Sequence, residues 1–206
     1  MSNLFTYSRE LEDLFKDEYD VILDRLGDYI LTKGPTLGKD YNKLAKKKVW
    51  IHKSSKVDKN VNIMGPCIIM KDCKIENNAV LRENVIVGPG SHIGNSSEVK
   101  NSVLLDTVKL PHFNYVGDSI LGSHVHFGAG AIVSNYRLDH KDVNMNRRKL
   151  GAYIGDYVEV GCNSVICPGT IIYKNVTVYP TVMVRGIIPE STIVKDRNVI
   201  VKKENR

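Results

Sequence analysis

The chain has 206 residues, enough for one domain and an appendage, with 42% hydrophobic and 25% charged residues, as in a globular protein, and a formal net charge of +6. That charge admits an anionic ligand, an anionic surface or nucleic acid. Aromatic residues are few and scattered and no Lys/Arg tract lies on an RNA-binding motif, so nucleic acid is not expected as a partner. No apolar run reaches the roughly 18 residues of a membrane span and no signal-peptide pattern opens the chain, so the expectation is a cytoplasmic protein with no membrane partner.

Residues 4–31 read as a helix. Leu4, Tyr7, Leu11, Leu14, Phe15, Ile22, Leu26, Tyr29 and Ile30 recur at three- and four-residue spacings between charged residues. Gly27-Asp28 is a candidate interruption and Gly34-Pro35 a stop. A lone amphipathic helix must bury its apolar face on something, either the open end of a solenoid or a neighbouring subunit, and the solenoid end is the preferred host. A polar, basic linker follows, so residues 1–49 are taken as a helical segment with its linker and residues 50–206 as a separate repeat domain.

From Ile51 every sixth residue is aliphatic: Val57, Ile63, Ile69, Ile75, Leu81, Val87, Ile93, Val99 and Leu105. The fifth residue of each hexad is small or a valine, and Cys67 and Cys73 both fall in this slot. A period of six fits neither a helix nor an alternating strand. It predicts a β-helix of hexapeptide repeats, three hexads to a coil, in which the large aliphatic points inward. In that slot the two cysteines read as small buried hydrophobes; no CxxC occurs, and no metal site is expected. Residues 106–115 look like a first break, with Pro111 where an aliphatic was due. The repeat resumes at Leu121, Phe127 and Val133, breaks again over the basic segment 135–149, and runs on through Ile154, Val160, Ile166, Ile172, Val178 and Val184.

Loops that leave a regular solenoid are where chemistry is sought. His112 stands in the first break, either as a proton acceptor near neutral pH or as a plain surface histidine. Arg82 and Lys100 lie one 18-residue coil apart and so stack, either as a phosphate seat or as a solvated basic face.

Leu81-Arg82, IGNSSEVKNS (93–102), HFNYVGDSILG (112–122), HFGAGAIVSNY (126–136) and YIGDYVEVGCNSVICPGTII (153–172) together resemble the acetyltransferase domain of the bifunctional N-acetylglucosamine-1-phosphate uridyltransferase/glucosamine-1-phosphate N-acetyltransferase family. The likeness covers about residues 51–195. It implies a left-handed parallel β-helix, an all-β fold with the helical segment at its N-terminus, in a homotrimer that binds acetyl-CoA between subunits. Carried over by position, His112 matches the general base, and Arg82, Lys100 and Lys141 match the holders of the sugar phosphate. Tyr115 and Asn135 match positions at the sugar, and Tyr136 matches the neighbouring tyrosine. Ala129 matches the wall facing the pantetheine arm, and Arg197 a basic residue near the nucleotide end of CoA. Three positions depart: His126 stands for an asparagine beside the substrate, Cys162 for a serine and Pro180 for an alanine of the CoA wall. No LxxGxGTRM-like phosphate loop occurs in the chain, so nucleotide-sugar synthesis is not expected.

The resemblance implies acetyl transfer from acetyl-CoA to the amine of a hexosamine 1-phosphate, without a metal. Three other readings stay open. One is acetylation of a nucleotide-linked amino sugar. Another is a non-catalytic trimeric module binding a sugar phosphate or a nucleotidyltransferase partner. The last is a metal-dependent hydratase of the γ-carbonic anhydrase type using His92, His112, His124 or His126.

Overall fold

The computed structural model describes residues 4–144 and 147–203. The hexads form a parallel β-helix of three sheets, A, B and C, which the chain visits in that order on each turn. Among the described residues, sheets A and B have nine strands and sheet C has seven. Among the sheet strands of the described residues, the two outermost pairings alone are antiparallel. Tyr41–Leu44 covers the first strand of sheet A, and Val199–Lys202 folds back on Thr192–Asp196 at the far edge of sheet B. These hairpins occupy the edges that would otherwise template further strand pairing.

The inward column of sheet A runs Ile51, Ile69, Val87, Leu104, Leu121, Ile154, Ile172, Ile188. Val87 therefore pairs with Leu104 and not with Leu105. Leu104 joins the interior, whereas Leu105 faces outward into a second apolar cluster. The shift also corrects the small slot: Ser102, in register with Val85, lies where Val103 was expected. It removes the supposed first break as well, because Leu110, not Pro111, pairs with Ile93 as the next inward residue. Residues 106–115 are regular solenoid with one residue fewer in the preceding turn. A second shortened turn links Val116 to Leu121, a third Val184 to Ile188, and the long insertion parts Val133 from Ile154. Every departure from six falls at the corner between sheets C and A, so this corner alone varies in shape along the solenoid.

Cys67 and Cys73 are interior residues, as expected, and burial pushes both thiols up, that of Cys73 to about 11. The helix is shorter than its pattern implied. Short 3-10 turns at Arg9–Leu11 and Leu14–Lys16 precede α1, Tyr19–Lys33, which ends at Gly34. In the first part, aromatic packing replaces a helical stripe: Phe5 packs on Phe15 and Tyr19, and Tyr7 stacks on Phe15 with ring centroids 4.5 Å apart. Gly27 does not interrupt α1, which runs through it. A Cβ there would sit 2.6 Å from the Asn84 side chain, so glycine permits the close approach.

Nor does α1 cap an end of the solenoid. It lies on the outer face of sheet A, where Ile22, Leu26 and Ile30 pack with Ile68, Ile86, Val103, Ile120 and Tyr153. Sheet A is apolar on both faces, as parallel strands covered by a helix are. The start of the segment is pinned at the A–B corner. Buried Asp156 accepts from the Thr6 N–H at 2.8 Å and the Ser123 N–H at 2.9 Å and pairs with Lys174 at 3.0 Å.

Candidate active site

The outward positions of sheet C flank its inward column, so Arg82, Glu98, Lys100 and Tyr115 share one surface. Arg82 donates to Glu98 at 3.3 Å and approaches Glu83 at 3.6 Å. Lys100 Nζ lies 3.6 Å from Asp118, whose side chain is only 8% exposed. Each cation is thus oriented by a carboxylate. Arg82 keeps further N–H donors for an incoming anion, since a guanidinium carries five.

Asp118 is the hub of a ladder at the C–A corner. Asn84 donates to Asn101 at 3.3 Å, Asn101 to Asp118 at 2.9 Å, and Asn135 to the other Asp118 oxygen at 2.5 Å. These residues recur seventeen apart, the length of the shortened turns. Asn135 also donates to the Tyr115 hydroxyl at 3.2 Å. Burial, with Asp118 and Glu98 nearby, pushes the Tyr115 phenol up, so it is a neutral hydroxyl.

His112 ends the strand Lys109–His112 at the other border of sheet C. Its backbone is fixed by buried Asn114, which accepts from the His112 N–H at 3.1 Å and donates to Gly128 and Ala131 carbonyls. Its imidazole is exposed and makes no hydrogen bond among the described residues. Ala129, Cys162 and Pro180 succeed it along the B–C corner. The Gly130 N–H donates to His112 O, Asn163 N–H to Ala129 O, and Thr181 N–H to Cys162 O. With strands about 4.8 Å apart, this track of small residues runs roughly 14 Å from His112. The N–H groups of Ala129 and Cys162 on it donate to no acceptor among the described residues. Arg197 lies beyond its far end, in the Thr192–Lys202 hairpin.

The chain therefore brings Arg82, Lys100, Tyr115 and Asn135 together, with His112 at the border. It does not bring the others there. His126 lies on sheet B, bonded to Glu159 at 2.8 Å above an open cavity of about 290 Å³. Tyr136 and Lys141 sit on the projecting insertion, where the Tyr136 hydroxyl meets His140 at 2.7 Å. Of the four histidines of the hydratase reading, His124 and His126 line one cavity, and no group of three metal ligands forms among the described residues. Sequence reasoning passed over Glu98, Asn101 and Asp118, although the first two lie in the quoted segment 93–102 and the third in 112–122.

The sequence profile of the GMPPB C-terminal domain family matches residues 63–196. The chain belongs to this family. The matched span takes in every site residue named above except Arg197 and leaves α1 outside. The bifunctional sugar-1-phosphate nucleotidylyltransferase/acetyltransferase of Sulfurisphaera tokodaii is 41% identical over 155 residues, which are 62% of this chain and 39% of that protein. The bifunctional protein GlmU of Methanococcus maripaludis is 41% identical over 122 residues, 54% of this chain and 30% of that one. The resemblance seen in the motifs is borne out, and the chain spans well under half the length of these relatives. Among solved structures, the acetyltransferase domain of PglB from Neisseria gonorrhoeae is similar with a TM-score of 0.32 at 18% identity, covering 71% of this chain and 54% of that one.

Proposed function

We propose that the chain transfers the acetyl group of acetyl-CoA to the amine of a hexosamine 1-phosphate, either glucosamine 1-phosphate or galactosamine 1-phosphate, and works as a homotrimer. The observation that carries this reading is the convergence of Arg82, Lys100, Tyr115 and Asn135 on one face of sheet C, bordered by His112. Arg82 and Lys100 hold the phosphate, with Lys141 from the insertion. Tyr115, Asn135 and Tyr136 orient the sugar, and His126 faces it from an adjacent copy. The acetyl-CoA arm lies along Ala129, Cys162 and Pro180, with Arg197 toward its nucleotide. The two free N–H groups of that track supply donors for thioester oxygen and pantetheine carbonyls.

The sugar amine attacks the thioester carbonyl while neutral His112 takes a proton from the nitrogen. The C–N bond forms, the C–S bond breaks, and the CoA thiolate leaves and is protonated. Holding the amine at the carbonyl converts a bimolecular encounter into an intramolecular one. The thioester is already activated, so no metal is required.

The test is a pair of variants. His112→Ala should lower kcat by about 10²–10⁴-fold with little change in sugar-phosphate binding. Lys100→Ala should chiefly raise KM for the sugar phosphate. Normal turnover by the His112 variant would favour the non-catalytic module instead.

A further inference from the structure

The insertion at the C–A corner leaves sheet C as an outgoing limb bearing Asn135, Tyr136 and Lys141 and returns through residues 147–150. Two adjacent arginines on the return limb face different partners. Arg148 donates to His140 O at 2.6 Å and to the Tyr136 hydroxyl at 3.1 Å, and its guanidinium lies 5.5 Å from the Tyr136 ring centroid. It ties the two limbs together beside the Tyr136–Lys149 bridge. Arg147 points to α1, donating to Asp20 O at 2.7 Å and to the Asp24 carboxylate at 2.5 Å. Its side chain is only 16% exposed. Tyr153, where the solenoid resumes, donates its hydroxyl to Asp20, and Val143 and Leu150 join the apolar cluster under α1. Near its middle, at Gly27, α1 lies against Asn84, the first rung of the ladder that leads through Asn101 to Asp118 and Asn135.

We propose that α1, although outside the residues matched by the family profile, is a clamp that sets the conformation of the insertion, with Arg147 as its positioning residue. The link runs from Asp20 and Asp24 through Arg147 to the return limb, and from Arg148 to Tyr136 and the segment ending at Lys141. It rests on the reading that this limb contacts the sugar phosphate. Ion pairs at an exposed site count for little, but Arg147 is mostly covered and donates to a backbone carbonyl as well as to carboxylate. An unanchored excursion of this length would sample many conformations, and substrate would then bind only the competent fraction.

The experiment compares wild type, Arg147→Gln, Arg147→Lys and Asp24→Asn by amide hydrogen exchange, peptide by peptide, together with steady-state kinetics. Exchange over residues 136–143 should speed up at least about tenfold in Arg147→Gln, with a smaller effect in Arg147→Lys, while exchange in the solenoid strands stays as in wild type. KM for the amino-sugar phosphate should rise several-fold with kcat changed less. Unchanged exchange over 136–143 in Arg147→Gln overturns the clamp. So does faster exchange with unchanged KM in an active enzyme. If Arg147→Gln fails to fold, Asp24→Asn, at a more exposed position, decides by the same criteria. If the wild type shows no turnover with any amino-sugar phosphate, the functional reading fails by itself, and the exchange data still judge whether α1 holds the insertion.

Discussion

Asp118 stands in left-handed backbone, φ +50°, which asparagine and aspartate tolerate better than other side chains. Its two oxygens accept from Asn101 and Asn135 while Lys100 approaches one of them. Asp118→Asn keeps shape and backbone preference but turns one acceptor into a donor facing another donor. We expect it to lower stability by about 1–3 kcal/mol and to raise KM for the sugar phosphate more than it lowers kcat, measured by denaturant unfolding and initial rates. Wild-type stability and KM in this variant would remove Asp118 from the site. Parts of the site were legible in the sequence. The 18-residue step from Arg82 to Lys100 places two cations in register, and His112 stands beside a proline in a repeat of aliphatics. The ladder was not, because Asn84, Asn101, Asp118 and Asn135 recur at seventeen, and a strict period of six hides a column that depends on turns one residue short. His126 and Lys141 lie away from the sheet C cluster, which position in the sequence does not reveal.

At the scale of elements, two tyrosine hydroxyls fix α1 as donors: Tyr153 of sheet A to Asp20, and Tyr29 of α1 to Asp13 of the segment before it. Burial pushes Tyr29 and Tyr153 up, with further contributions from hydrogen bonds to Asp13 and Asp20, and burial likewise raises Tyr19. A docked tyrosine that holds its proton more tightly than the free one contributes stability in full below the ordinary tyrosine range, near about 10, and loses it as pH rises further. The interior cluster contains no tyrosine, though its Cys67 and Cys73 thiols respond in the same direction. Alkaline titration should therefore loosen the docking of α1 as pH rises past the ordinary tyrosine range. The expected signs are loss of helical circular dichroism and a red shift of the single tryptophan, Trp50, whose ring lies against Gly34 at the end of α1. Tyr153→Phe should move this change to higher pH; identical titrations for variant and wild type would contradict the assignment. The helix itself was readable from Ile22, Leu26 and Ile30 at helical spacing. Its seat was readable only in retrospect, from Ile68, Ile86 and Ile120, which lie outside the hexad's large slot and therefore face away from the interior.

For the whole molecule, a single chain separates groups that the proposed reaction needs together. The cations proposed to hold the phosphate lie on sheet C, His126 on sheet B, and Lys141 on an insertion that presents Leu138 at 94% exposure. Ile132 and Val165, on the outer face of sheet C, are also exposed. Closing copies around a threefold axis would bring one copy's sheet B toward the next copy's sheet C and cover these side chains. Sedimentation equilibrium at micromolar concentration should give a trimer, and a monomer there would leave the site incomplete. The most direct test of the account is release of CoA thiol from acetyl-CoA by the purified protein against a panel of amino sugars, their 1-phosphates and nucleotide-linked forms, with the acetylated product identified by mass. Turnover should depend on glucosamine 1-phosphate or galactosamine 1-phosphate, with the free sugars much poorer. Binding of a hexosamine 1-phosphate without any acetylated product, or turnover confined to nucleotide-linked sugars, would contradict it.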